Sequence, residues 1–137
     1  MKYRMTTAPR DRAGNALEKI SIAFRENPFA TFVSGLEGTF NNGKIVNPIL
    51  EIESTAETEH LVRTFCCYVN SQLLGYQITN VRLNIATSTV TNKYTQCKLR
   101  VDYVPREPNL EEYSRLTKEV LHKLPHFIED FYQRNKK

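Results

Sequence analysis

Asn42-Gly43, set between two runs of β-forming residues, constrains this chain more than any other feature of it. Residues 31–40 are rich in Thr, Phe, Val and Gly, and residues 45–53 are rich in Ile, Val and Leu. A tight type I′ turn needs positive φ at both central residues, which Asn-Gly tolerates and most pairs do not. The two runs are therefore expected to pair as an antiparallel hairpin. In the second run Leu50 and Ile52 alternate with Glu51 and Glu53, so one face is buried and the other is wet. Pro48 marks an edge or a bulge, because proline cannot donate to the ladder.

A second hairpin follows the same logic. Val81, Leu83 and Ile85 alternate with Asn80, Arg82 and Asn84, and a polar connection covers residues 87–92. Cys97, Leu99, Val101 and Tyr103 then alternate with Gln96, Lys98, Arg100 and Asp102, and Pro105 and Pro108 close the unit. Apolar residues at helical spacing fill the intervals. Ala13, Ala16, Leu17, Ile20, Ala23 and Phe24 form one stripe, ended by Asn27-Pro28. Leu61, Val62, Phe65, Val69 and Leu73 form a second, capped by Ser54 or Thr55 and stopped at Gly75. Leu110, Tyr113, Leu116, Val120 and Leu121 form a third, which Pro125 is expected to kink or split.

The order is α-ββ-α-ββ-α. The expected fold is α+β, with a four-stranded antiparallel sheet, helices packed on one face and the other face wet. A chain of 137 residues suits one domain. We read residues 1–9 as a flexible basic tail, 10–131 as a single α+β domain and 132–137 as a basic C-terminal tail. At 40% hydrophobic the chain is too apolar for general disorder.

Three cysteines, with Cys66 and Cys67 adjacent, do not make a disulfide framework. A reducing, intracellular setting is expected, cytoplasmic or nuclear. The N-terminus has no apolar core of a secretory signal, and its Arg-containing, acid-poor composition leaves organelle import open. No apolar run approaches the ~20 residues a membrane helix needs, so no membrane partner is expected.

Arg82, Asn84, Gln96, Lys98 and Arg100 should stand together on the wet face of the second hairpin. Arg and Lys reach phosphates, and Asn and Gln reach base edges. With a net charge of +4, these residues point to a non-catalytic nucleic-acid-binding module. Glu51 and Glu53 work against that reading, since the first hairpin can set negative charge beside the patch. The alternative is a protein-assembly subunit or chaperone-like adaptor that docks or dimerises through a helix face. Tyr113, Phe127, Phe131 and Tyr132 would carry the contact.

No site for catalysis, metal or cofactor is legible, and an enzyme ranks last. His122 and His126 stand four apart, but Pro125 lies between them and no Glu follows His122 in the zinc-protease arrangement. Asn27-Pro28-Phe29 matches the short peptides that some adaptor domains bind, though a helix stop explains it more cheaply.

The stretch 32–40, ending in Glu37-Gly38-Thr39-Phe40, resembles the motif region of LAGLIDADG homing endonucleases. That family has an α-ββ-α-ββ-α core and lays its sheet on DNA. The resemblance implies a degenerate DNA-binding protein with Glu37 as the metal-binding acid of one subunit in a dimer. Phe32 and Gly35 depart from the family pattern.

Overall fold

The computed structural model describes residues 2–5, 12–41, 44–55, 57–104 and 110–135, with side chains at 18–31, 49–55, 57–104 and 111–135. Three helices, α1 (Arg12–Glu26), α2 (Glu59–Gly75) and α3 (Leu110–Asn135), accompany an antiparallel sheet. Its strands are β1 (Lys2–Met5), β2 (Thr31–Asn41), β3 (Lys44–Thr55), β4 (Val81–Val90) and β5 (Tyr94–Tyr103). They lie in the order β1-β2-β3-β5-β4.

Among the described residues the sheet therefore has five strands, which corrects the expected four. The addition is β1, in which Lys2 pairs with Thr39 and Met5 with Leu36. The sequence alone assigns residues 2–5 to a basic tail. Four residues are too few to reveal a period, and the strand is specified by its partner β2 instead. At the other end, α3 carries its helix to Asn135, through residues that had read as tail.

Both expected hairpins form. Asn41 pairs with Lys44, so the first connection is two residues long; Asn42-Gly43 itself lies outside the described residues, as do Pro105 and Pro108. Helix α1 stops where Asn27 turns back, its backbone N–H and its Nδ2 both donating to the Ala23 carbonyl at 2.8 and 3.0 Å. Ser54 and Thr55 do not cap α2, because β3 runs through both. Thr58 occupies the cap position, and its hydroxyl lies 2.9 Å from that of Thr55.

One layer of helices covers one face of the sheet. Leu50, Ile52, Leu83, Cys97, Leu99 and Val101 project into the core from the strands. Ile20, Phe24, Val62, Phe65, Val69, Leu73, Val120, Leu121, Leu124, Phe127, Ile128 and Phe131 meet them from the helices. Pro125 does not split α3, which runs unbroken through it. A proline in a helix interior costs about 3 kcal/mol. Leu121, Leu124, Phe127 and Ile128, all at most 2% exposed, bury enough apolar surface on both sides of it to outweigh that cost.

Candidate functional site: the open face of the sheet

Alternation along β3, β4 and β5 sends the complementary residues to the face that none of the described helices covers. Register fixes their neighbours: Glu51 stands opposite Lys98, Glu53 opposite Gln96, Asn84 opposite Arg100, and Arg82 opposite Asp102. The five residues expected to form a polar patch are thus brought together. Arg82, Gln96 and Lys98 are exposed, and Asn84 and Arg100 are half-buried.

The patch is not cationic. Lys98 Nζ lies 3.7 Å from Glu51 Oε1, and Gln96 Nε2 donates to Glu53 Oε2 at 3.1 Å. Arg100 donates to Asp102, which also accepts from Asn84 Nδ2 at 2.8 Å. Three carboxylates therefore stand among three cations, Arg82, Lys98 and Arg100. Partly exposed pairs of this kind each contribute roughly 0–1 kcal/mol to stability, so their main effect is on the field of the face. Phosphate neutralisation requires uncompensated positive charge, and the described part of this face supplies little. Asp102 was legible in the alternation, and its weight lies in its contact with Arg100.

A shallow niche of about 40 Å³ opens on this face among Glu51, Glu53, Thr87, Thr89, Gln96 and Lys98. A second depression of about 180 Å³ lies at the end of the sheet, lined by Phe29, Ala30, Ser54, Thr55, Thr58 and Tyr94 among others. The Thr55 and Thr58 hydroxyls bond each other there, and the Ser54 hydroxyl is buried without a partner.

The aromatic residues expected to dock a partner are core residues. Tyr113, Phe127 and Phe131 are at most 4% exposed, and the Tyr113 hydroxyl donates to the Val101 carbonyl at 2.7 Å. Tyr132 packs half-buried against the same core. Phe29 of the Asn-Pro-Phe tripeptide is also buried, 5.0 Å from the Phe131 ring, so that peptide is not presented to a partner. His122 and His126 are exposed on α3, and no cluster of three or more metal-ligating side chains occurs among the described residues.

Glu37 sits within β2, opposite Arg4 on β1 and Ile49 on β3. The family resemblance places an acid just ahead of a strand, whereas this one lies well inside an eleven-residue strand. Its side chain lies outside the described residues.

Two other clusters have structural explanations. Tyr68 donates to Asp130, which also accepts from Arg134 Nε at 2.8 Å. These bonds hold the Asp130 carboxyl below its usual range, while burial and the neighbouring carboxylate push the Tyr68 phenol up to about 12. The cluster clamps α2 to α3. Burial likewise pushes the Cys66 thiol up to about 12, and Cys97 is buried, leaving Cys67 exposed. Since the thiolate is the reactive species, a maleimide should label Cys67 alone in the native protein and all three cysteines in denaturant. Mass spectrometry reads the count, and rapid native labelling of Cys66 or Cys97 would contradict this packing.

No helix among the described residues is long and apolar enough to cross a membrane. No protein-family model, curated protein or solved structure matches the chain.

Proposed function

We propose that this chain is a non-catalytic binding module that docks a protein partner on the open face of its sheet. The observation that carries the reading is the mixture of charge on a surface that none of the described helices covers, with Glu51, Glu53 and Asp102 set among Arg82, Lys98 and Arg100. A polyanion would meet carboxylates wherever it met a cation, whereas a protein surface with interspersed charges of both signs can complement this one. Glu51, Glu53, Lys98, Arg100 and Asp102 are already in contact with neighbouring side chains, which lowers the ordering cost of an interface.

The test is a photo-crosslinking residue in place of the exposed Gln96, with the same residue at Arg115 on α3 as control. In an extract of the cells that make the protein, position 96 should give a protein adduct that position 115 does not. A nuclease-sensitive adduct, or equal yields at both positions, would overturn the reading.

Nucleic-acid binding is the second reading, favoured by the net charge of +4 and by Arg82. That side chain is exposed and has no ion-pair partner among the described residues. It predicts affinity that falls steeply with salt.

A further inference from the structure

We infer that the partner for the open face is a second copy of this chain, seated face to face about a two-fold axis that runs parallel to the strands between β3 and β5. The inference rests on the docking reading above and names its partner. Its basis is the distribution of charge across the face. β3 contributes the two carboxylates Glu51 and Glu53. β5 and β4 contribute the three cations Lys98, Arg100 and Arg82 against the single carboxylate of Asp102. The described part of the face, on β3, β5 and β4, is thus an acidic stripe beside a basic one, with three carboxylates against three cations, divided down its length.

A two-fold interface presents the same patch twice, so it needs a surface that complements itself. An axis between the two stripes supplies that relation. It maps β3 of one copy onto β5 of the other, placing Glu51 over the partner's Lys98 and Glu53 over the partner's Gln96, and the reverse. Within one chain Glu51 and Lys98 are already register neighbours, 3.7 Å apart. The second copy would complete a square in which acid and base alternate around all four corners.

The face is suited to the contact. Lys98 and Glu51 keep 46% and 28% of their side chains exposed, so both can take further hydrogen bonds. Ile49, half-buried at the same level as Arg100, adds apolar area near the axis. Strands of the two copies would run in the same direction, and facing sheets commonly pack within about 30° of alignment and about 10 Å apart.

The test uses light scattering on the full chain over a range of concentrations, with Lys98→Glu and Glu51→Lys as variants. Both residues are partly exposed, and circular dichroism checks that each variant folds. The wild type should approach twice the chain mass. Each variant alone should stay at the mass of one chain, because like charges then face each other across the axis. An equimolar mixture of the two should return to the doubled mass, since an all-acidic stripe pair meets an all-basic one.

A wild type that remains at the chain mass at every concentration overturns the inference. The docking reading survives that result if the position-96 adduct still forms with another protein. A wild type that dimerises, with both variants dimerising equally well, overturns the inference by placing the contact on another surface. A mixture that stays monomeric overturns it as well.

Discussion

Phe131→Ala is expected to lower the unfolding free energy by about 3–5 kcal/mol, the largest single-residue effect anticipated in this chain. Phe131 is 2% exposed and touches rings from two other parts of the fold. Its centroid lies 5.0 Å from Phe29 in the connection after α1, and 5.4 and 5.7 Å from Phe65 and Tyr68 on α2. The phenyl group is thus the point at which α2, α3 and the connection after α1 meet. Removing it opens a cavity that rigid neighbours from separate elements can close only in part. Domains of this size are stable by about 5–15 kcal/mol, so the loss would consume about a fifth of the stability or more. Truncation after Pro125 removes Phe127, Ile128 and Phe131 together and should leave no cooperative unfolding transition. Urea denaturation followed by circular dichroism measures both. A truncated chain that unfolds cooperatively would return these residues to a docking role.

The reason for the sequence-level misassignment of these aromatics is physical. Residues 120, 121, 124, 127, 128 and 131 keep helical spacing across Pro125, and the spacing alone gives one continuous buried stripe. Weighting the proline as a helix breaker divided that stripe and left Phe127 and Phe131 looking like surplus apolar surface. A proline's local cost is fixed at roughly 3 kcal/mol, whereas the burial that opposes it depends on tertiary contacts that one sequence does not contain.

The open face divides in the same way. Which side chains it carries was legible, because a period of two sends Arg82, Asn84, Gln96, Lys98 and Arg100 to one side. Its net charge was not. That depends on which hairpin strand lies against which, and the sheet order sets β3 beside β5. Glu51 therefore falls against Lys98 and Glu53 against Gln96. Pairing between separate hairpins is a long-range choice made by the assembled core, and turn chemistry at residues 42 and 43 does not influence it. The short strand β1 escaped notice for a related reason, since its pairing is with β2, more than thirty residues away in the chain.

Asn70→Ala is expected to cost about 2–4 kcal/mol, from one or two part-buried backbone groups left without partners at roughly 1–3 kcal/mol each. β4 forms one edge of the sheet, so part of its backbone has no neighbouring strand to bond. At Leu83 the side chain of Asn70, reaching from α2, takes that strand's place. Asn70 Oδ1 accepts from the Leu83 N–H at 2.8 Å, and Asn70 Nδ2 donates to the Leu83 carbonyl at 3.0 Å. An amide side chain presents one acceptor and one donor at the spacing of a peptide group, so it caps both groups of one edge residue at once. Asn70→Asp keeps an acceptor for the N–H but sets a negative oxygen against the carbonyl, and it should be destabilising even though it is nearly isosteric. Amide hydrogen exchange separates this local effect from a general loss of stability. The Leu83 N–H should be slow in the wild type and should lose its protection in Asn70→Ala beyond the change in global stability. Unchanged protection at Leu83 would mean that the bond contributes nothing to holding the edge. Nothing but the position of an Asn inside a helix, where its propensity is poor, marks this residue in the sequence; its role exists only once α2 is laid against β4.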